Sequence, residues 1–293
     1  MSSAPAPCIT LTDNGSLRPE ATFSLRQLAK TLGERVGHPI HAVSLLHSNR
    51  IPAEKLDDVA AETFEKFAIA RHAEHGTNDF LVSPLFFGPS AAIAEYLPQR
   101  VDVMMEEHDW PKLRVRVAPC LVDLEAKDDY RMAEILAELV RSKRQEMESD
   151  TVSVGLVDHG TPRITVTQVR NFLAEQLKHL LGEGFDEVRP CSMERREGSE
   201  YDYNEPLLER LLGQPGYQKD VIVSMLFLQP GRHAGAGGDV AEICGAAEKA
   251  CPGLRTHMTD LVGTHPALID LLAERLEAGF TTDPVSWKVM TSP

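Results

Sequence analysis

Residues 156–167 read LVDHGTPRITVT, and residues 11–22 read LTDNGSLRPEAT. The two stretches share an apolar run closed by Asp, then a glycine turn, then a Thr that ends the match. A second pair repeats further on: DFLVSPLFFGPSAA from Asp79 and DVIVSMLFLQPGRH from Asp220. The offsets are 145 and 141 residues, so small loop changes reconcile them, and a repeat near half the chain length indicates a duplication. The charged stretch RSKRQEMESD, from Arg141 to Asp150, separates the copies and places the boundary near Asp150.

Around these anchors, short β-rich runs alternate with longer segments whose apolar residues recur every three or four positions, which is the pattern of a parallel α/β sheet. Strands are expected at Cys8 to Thr12, Ile40 to Leu46, Asp79 to Phe87 and Leu113 to Ala118 in the first copy. In the second they are expected at Val152 to Val157, Val188 to Cys191 and Val221 to Leu228. Helical stripes run through Leu25, Leu28, Leu32 and Val36, through Met132, Ile135, Leu136 and Leu139, through Val166, Val169, Phe172, Leu173 and Leu177, and through Leu268, Leu271, Leu272 and Leu276. The expected fold is α/β, with two similar doubly wound lobes at 1–148 and 149–293 and mainly parallel sheets.

Composition agrees with a two-lobed globular chain. The 293 residues are 42% hydrophobic and 25% charged, which excludes collagen-like, disordered and disulfide-scaffold classes. With 44 acidic against 30 basic side chains, the net charge of −14 repels phosphate backbones and anionic lipid surfaces, so neither nucleic acid nor membrane is an expected partner. The opening MSSAPAPCITLTD has no charged region followed by an apolar core, and no apolar run approaches the ~20 residues of a membrane span. A cytoplasmic location is expected. Cys8, Cys120, Cys191, Cys244 and Cys251 form no CxxC pair and read as reduced thiols.

In an open parallel sheet, ligands collect beyond the carboxyl ends of the strands. Three polar residues of the second copy fall there: His159 after VSVGLVD, Glu194 after the strand ending at Cys191, and His233 after VIVSMLFL. Any one of them alone could be a turn or surface residue. Together, two imidazoles and a carboxylate from successive strand ends suit a divalent transition metal such as cobalt, nickel, iron or zinc, and the same groups could accept protons. Other chemistries lack their motifs. There is no GxSxG elbow and no GxxxxGK[ST] phosphate loop, and GAGGD departs from the dinucleotide fingerprint.

With those residues in place, LVDHGTPR, CSMERR with NEPLLE, LFLQPGRHAGAGGDV and THPALIDLLAERL occur in the order found in the CbiX-type sirohydrochlorin chelatases, class II tetrapyrrole chelatases, which the chain resembles over most of its length. The resemblance implies a two-lobed long form that inserts cobalt, iron or nickel into sirohydrochlorin or a related tetrapyrrole, in cobalamin or sirohaem synthesis, and acts as a monomer or weak homodimer. It implies a divalent metal as substrate and no organic cofactor. It places metal handling and proton transfer on His159, His233 and Glu194. Because sirohydrochlorin carries eight carboxylates, Arg163, Arg195, Arg196 and Arg232 become candidates for binding it. A non-catalytic metal or tetrapyrrole carrier with the same fold is the alternative. In the first copy, Asn14 stands opposite His159, Ala92 opposite His233 and His47 opposite Glu194. Asn and Ala cannot replace imidazoles, so a single active site, formed mainly by the second lobe, is expected.

Overall fold

The apolar runs become strands that are buried from both sides. A computed structural model describes residues 6–149, 152–235 and 237–290, with the side chains of 289 and 290 left aside. The chain runs β1 (Cys8–Asp13), α1 (Pro19–Val36), β2 (Ile40–Ser44), α2 (Phe64–His75), β3 (Asp79–Pro84), α3 (Leu97–Glu107) and β4 (Arg114–Val117). It continues through α4 (Arg131–Gln145), β5 (Val152–Asp158), α5 (Ile164–Leu181), β6 (Phe185–Ser192), the single turn α6 (Leu208–Leu211), β7 (Asp220–Met225), α7 (Asp239–Ala250), β8 (Arg255–Met258), α8 (Ala267–Gly279) and α9 (Trp287–Met290).

Two four-stranded sheets result, in the orders β2-β1-β3-β4 and β6-β5-β7-β8, and every pairing is parallel. All residues of β5 and β7 are buried, as a parallel sheet covered on both faces requires. Leu156, Val157, Val221, Ile222 and Val223 have no exposed surface, and burying each contributes about 1.5 to 3 kcal/mol of transfer free energy. Helix α1 starts on Pro19, whose missing N–H is no loss in a first turn, and stops at Gly37 in the left-handed region.

The strands follow the expected runs, with one addition. β8 has the sequence RTHM and no fully buried residue, so it lacks the apolar signal of its neighbours. It is an edge strand, and an edge of a sheet tolerates polar side chains.

The lobe boundaries differ from those expected at 148/149. The expected junction residue Asp150 lies outside the described residues. The chain divides into one unit up to Leu121 that resumes at Ile269, and a second unit from Val122 to Leu268. Helix α4 therefore belongs to the second unit, not the first. Its Arg141 donates to Leu180 O at 2.6 Å, its Glu138 pairs with His265 at 3.0 Å, and Gln176 of α5 reaches the carbonyls of Lys127 and Asp129 just before it. Nearly all of α8 belongs to the first unit. Asp270 pairs with Arg35 at 2.8 Å, Arg275 donates to Leu121 O at 3.2 Å, and a side chain at Gly279 would collide with Ala118 and Leu81. Each sheet is completed by the helix that the chain order assigns to the other copy.

Among the described residues, none of the five cysteines is disulfide-bonded, and no helix is long and apolar enough to cross a membrane.

Candidate active site

In the second unit the chain leaves β5 to one neighbour, β6, and then crosses to the other, β7, so the strand order reverses beside β5. That switch point opens a crevice at the carboxyl ends of the strands. His159 directly follows β5, Glu194 lies two residues beyond β6, and His233 lies in the loop between β7 and α7. The structure brings all three together. His159 Nε2 is 3.2 Å from His233 Nε2, the rings meet nearly perpendicular at 79°, and Glu194 Oε1 is 3.6 Å from His159 Nε2.

The outer nitrogens of both rings are occupied. His159 Nδ1 lies 3.0 Å from Gly160 O, and His233 Nδ1 lies 2.6 Å from a carboxylate oxygen of Asp239. Carbonyl and carboxylate oxygens only accept, so each Nδ1 carries the hydrogen and each Nε2 presents a lone pair. Two lone pairs facing each other at 3.2 Å repel unless a cation lies between them, either a proton or a metal ion. Two nitrogens at ~2.0 to 2.1 Å from one ion at the tetrahedral angle are separated by about 3.3 to 3.4 Å, close to the observed 3.2 Å. Among the described residues, no set of three or more His, Cys, Asp and Glu side chains is arranged to hold a metal ion unaided. The arrangement is thus an open pair of imidazoles with a carboxylate beside it.

Local sequence explains each placement. Gly160 has φ of +93°, and a Cβ there would overlap the carbonyl oxygen of Glu194, so the turn after β5 closes against β6 only with glycine. Glu194 N donates to His159 O at 3.1 Å, fixing the two loops to one another. The glycine-rich loop after β7 folds back on the start of α7, where Asp239 N and Val240 N donate to Arg232 O and His233 O. That return sets the His233 ring on Asp239.

Asp239 is a site residue that the sequence alone does not mark out. Its signal is an Asp in the first helical turn, six residues after the histidine. Two further polar groups lie underneath. Arg170, 1% exposed, and Asn204, fully buried, come from α5 and from the 3₁₀ turn Ser199–Asn204. Arg170 occupies the apolar face of α5, between Val169 and Leu173, and a charge on an otherwise apolar stripe is the pattern that marks it. Asp158 is buried as well. Burial raises its carboxyl above the ordinary range, opposed by the Arg170 charge, the Ser192 hydroxyl and the Gly160 amide.

The four arginines differ in their surroundings. Arg195 is engaged by its own loop, at 2.8 Å from Glu205 and 3.3 Å from Asp202, and donates to the carbonyls of Arg196 and Gly198. Arg196 is exposed and lies over the Tyr201 ring. Arg232 is 75% exposed with its guanidinium 3.6 Å from Asp239. Arg163 precedes α5 and its amide donates to Thr161 Oγ1. Beside Glu194 and Asp239, a groove of about 520 Å³ carries Glu209 and Glu242 above an apolar floor of Met193, Ile243 and Ala247.

In the first unit, the turn after β1 puts Asn14 where His159 stands, as expected. The counterpart of Glu194 is corrected to Leu46. Leu46 N donates to Asn14 O at 3.1 Å, as Glu194 N does to His159 O, and Leu46 O faces Gly15 as Glu194 O faces Gly160. His47 is one residue further along. Ala92 keeps the offset of His233 but opens a π-helical turn leading into α3, because the first unit has no long loop there.

Residues 153–278 match the CbiX family. Among solved structures, SirB from Bacillus subtilis with Fe3+ is similar at a TM-score of 0.64 and 14% identity, over 94% of this chain and 98% of SirB. A CbiX described as the terminal enzyme for biosynthesis of siroheme in denitrifying bacteria gives 0.56 and 15%, over 92% and 98%. DR2241 from Deinococcus radiodurans, a multi-domain protein with structural similarity to chelatases, gives 0.55 and 16%, over 95% of this chain and 57% of its own. No curated protein matches the sequence. At these identities the structural likeness is one of fold, a two-lobed chelatase-like α/β architecture. The sequence match is narrower and bears on the site: the matched segment 153–278 contains His159, Glu194 and His233.

Proposed function

We propose that the protein inserts a divalent metal ion into a tetrapyrrole, with sirohydrochlorin as the macrocycle and cobalt, iron or nickel as the ion. The observation that carries this reading is the pair of imidazole nitrogens 3.2 Å apart, each with its lone pair turned inward by the group behind it. The CbiX match over 153–278 points the same way. So do the Fe3+ in the SirB structure and the siroheme role given for the CbiX neighbour.

Insertion exchanges two pyrrole N–H protons for one M2+. The site offers two nitrogen lone pairs to hold one ion, and the imidazole pair and Glu194 together offer two places for protons. His159 and His233 hold the incoming ion through Nε2. As the pyrrole nitrogens take it over, one released proton settles between the two Nε2 atoms, where 3.2 Å holds a single hydrogen, and the other goes to Glu194, leaving a neutral metal–macrocycle core. Asp239 at 2.6 Å from His233 Nδ1 stabilises the charge on the imidazole pair, and Glu194, 3.6 Å from His159 Nε2, is within reach of the second proton. Side chains of His159 and Glu194 are 46% and 60% exposed, so the protons pass on to water. Two protein ligands without a third release the ion readily, whereas a closed four-ligand site would retain it. Arg232 and Arg163 pair with carboxylates at the rim of the macrocycle.

Incubation of the purified protein with sirohydrochlorin and Co2+, Fe2+ or Ni2+, followed by absorption spectroscopy, tests the reading. The expected result is conversion of the free-base spectrum to that of the metal complex, lost in His159→Ala and in His233→Ala. Tetrapyrrole or metal binding without conversion would instead identify a carrier.

A further inference from the structure

We infer that Arg170 is a positioning residue for His159 and Glu194, acting through a buried polar network that fixes the turn after β5 against the end of β6. This inference rests on the reading of those two side chains as metal-handling groups. Arg170 Nη1 donates to Ser192 Oγ, and Ser192 Oγ donates to Asp158 Oδ1 at 2.6 Å, an oxygen that also accepts from Gly160 N at 3.2 Å. The same Nη1 donates to Asn204 O at 3.1 Å, and Nη2 reaches Tyr203 O at 3.4 Å. Asn204 in turn accepts from Thr161 N at 2.9 Å and from Thr167 Oγ1 at 3.3 Å, while its amide donates to Thr161 O and Tyr201 O. Asp158, Gly160 and Thr161 surround His159 in the chain, and Ser192 is two residues before Glu194. One guanidinium therefore ties down both flanks of the histidine and the strand end that carries the carboxylate.

The first unit shows that the fold does not need this arrangement. At the repeat offset, Leu25 stands where Arg170 stands, and it is as deeply buried. There the counterpart of Asn204 is Ser48, whose Oγ accepts from Ser16 N at 3.3 Å and donates to Ser44 Oγ at 2.7 Å. Hydrocarbon closes that helix against its sheet, and a buried guanidinium is the more costly choice because it must be desolvated and then fully partnered. The charge is present only under the turn that carries an imidazole. A fork that reaches Ser192 and Asn204 at once holds a loop in one geometry, which a leucine cannot do.

Arg170→Lys keeps the charge without the fork, and Arg170→Leu copies the first unit. Co2+ is titrated into each folded variant and followed by visible absorption, alongside thermal unfolding and insertion kinetics. The expected result is that Co2+ binds about ten- to a hundredfold more weakly and kcat falls comparably, with the lysine variant intermediate and KM for tetrapyrrole near wild type. Variants with lowered unfolding midpoints but wild-type Co2+ affinity and kcat in their folded fraction would overturn the inference. Asn204→Ala removes the side chain that holds Thr161 and leaves the Arg170–Asp158 pair intact. If the Arg170 variants do not fold, wild-type Co2+ affinity in Asn204→Ala overturns it, and a weakened affinity supports it. A wild-type protein that binds Co2+ through its histidines but metallates no tetrapyrrole would sink the proposed function, and the affinity comparison would still decide the role of Arg170.

Discussion

The turn after β1 and the turn after β5 have one backbone and two purposes. Gly15 and Gly160 both have φ of +93°, and each sits against the carbonyl oxygen of the neighbouring strand's loop. Ser16 and Thr161 each accept from the amide two residues on, Arg18 N and Arg163 N, at 3.1 Å. What differs is the side chains that this backbone presents: Asn14 against His159, Leu46 against Glu194, and Leu25 against Arg170. A duplicated fold keeps the geometry of its strand-end turns because the sheet requires it. The chemistry can leave one copy, because nothing in that geometry depends on an imidazole.

The most direct way to break the comparison is to make the second turn resemble the first. His159→Asn installs the residue of the first unit at an accessible position, and insertion should fall about 1,000-fold or more, through loss of a ligand and a proton acceptor together. Circular dichroism and the unfolding midpoint should stay at wild type, since 46% of that side chain faces solvent. An active His159→Asn protein would remove the imidazole pair from the mechanism.

Substitutions of the shared glycines test what the turns have in common. Gly15→Ala and Gly160→Ala each force a side chain into the left-handed region and onto a carbonyl oxygen, and each should cost at least about 3 kcal/mol in urea unfolding. Similar costs at the two sites would show that the backbone is structural in both units. A neutral Gly15→Ala would mean that only the second turn is constrained.

Much of this contrast can be read from the sequence, and the exceptions have physical reasons. His159, Glu194 and His233 stand out because they interrupt apolar strand ends where a sheet exposes its loops. Three features do not stand out. The stripes of α4 and α8 announce an apolar face but not which sheet it covers, since leucines every three or four residues fit either, and so the exchange of helices between the two units is hidden. Likewise the counterpart of Glu194 is displaced by one, from His47 to Leu46, because it is fixed by the hydrogen bond from Leu46 N to Asn14 O and not by residue counting. Arg170 is hidden for another reason: periodicity treats α5 as an apolar face and passes over the one charge in it.

That charge has a measurable counterpart in the first unit. Burial pushes the Asp13 carboxyl up to about 6, against hydrogen bonds from Ser44 and the Gly15 amide, and no cationic side chain is among the groups that oppose it. Between its ordinary value of 3.8 and about 6, folded Asp13 holds a proton that the unfolded chain has released. Stability therefore falls as pH rises through that window, by up to about 3 kcal/mol. Asp13→Asn should flatten this part of the stability profile between pH 4 and 7 in urea titrations. An unchanged slope would locate the pH dependence elsewhere. Asp158, whose burial is opposed by Arg170, is the natural second site to compare.

The smallest effects separate arginines that the sequence treats alike. Arg232 is largely exposed and has one carboxylate at 3.6 Å, so its guanidinium can turn to a substrate carboxylate at little expense. Arg195 cannot do so without abandoning Glu205, Asp202 and two backbone carbonyls. Arg232→Ala should raise KM for the tetrapyrrole by about five- to tenfold, equivalent to roughly 1 to 1.4 kcal/mol, with metal affinity unchanged. Arg195→Ala should instead lower stability by about 1 kcal/mol, with KM affected only as the loop 196–205 loosens. If Arg195→Ala raises KM more than Arg232→Ala does, then the loop and not the exposed guanidinium sets substrate affinity. The rim of the site would then be built from β6 and the segment that follows it.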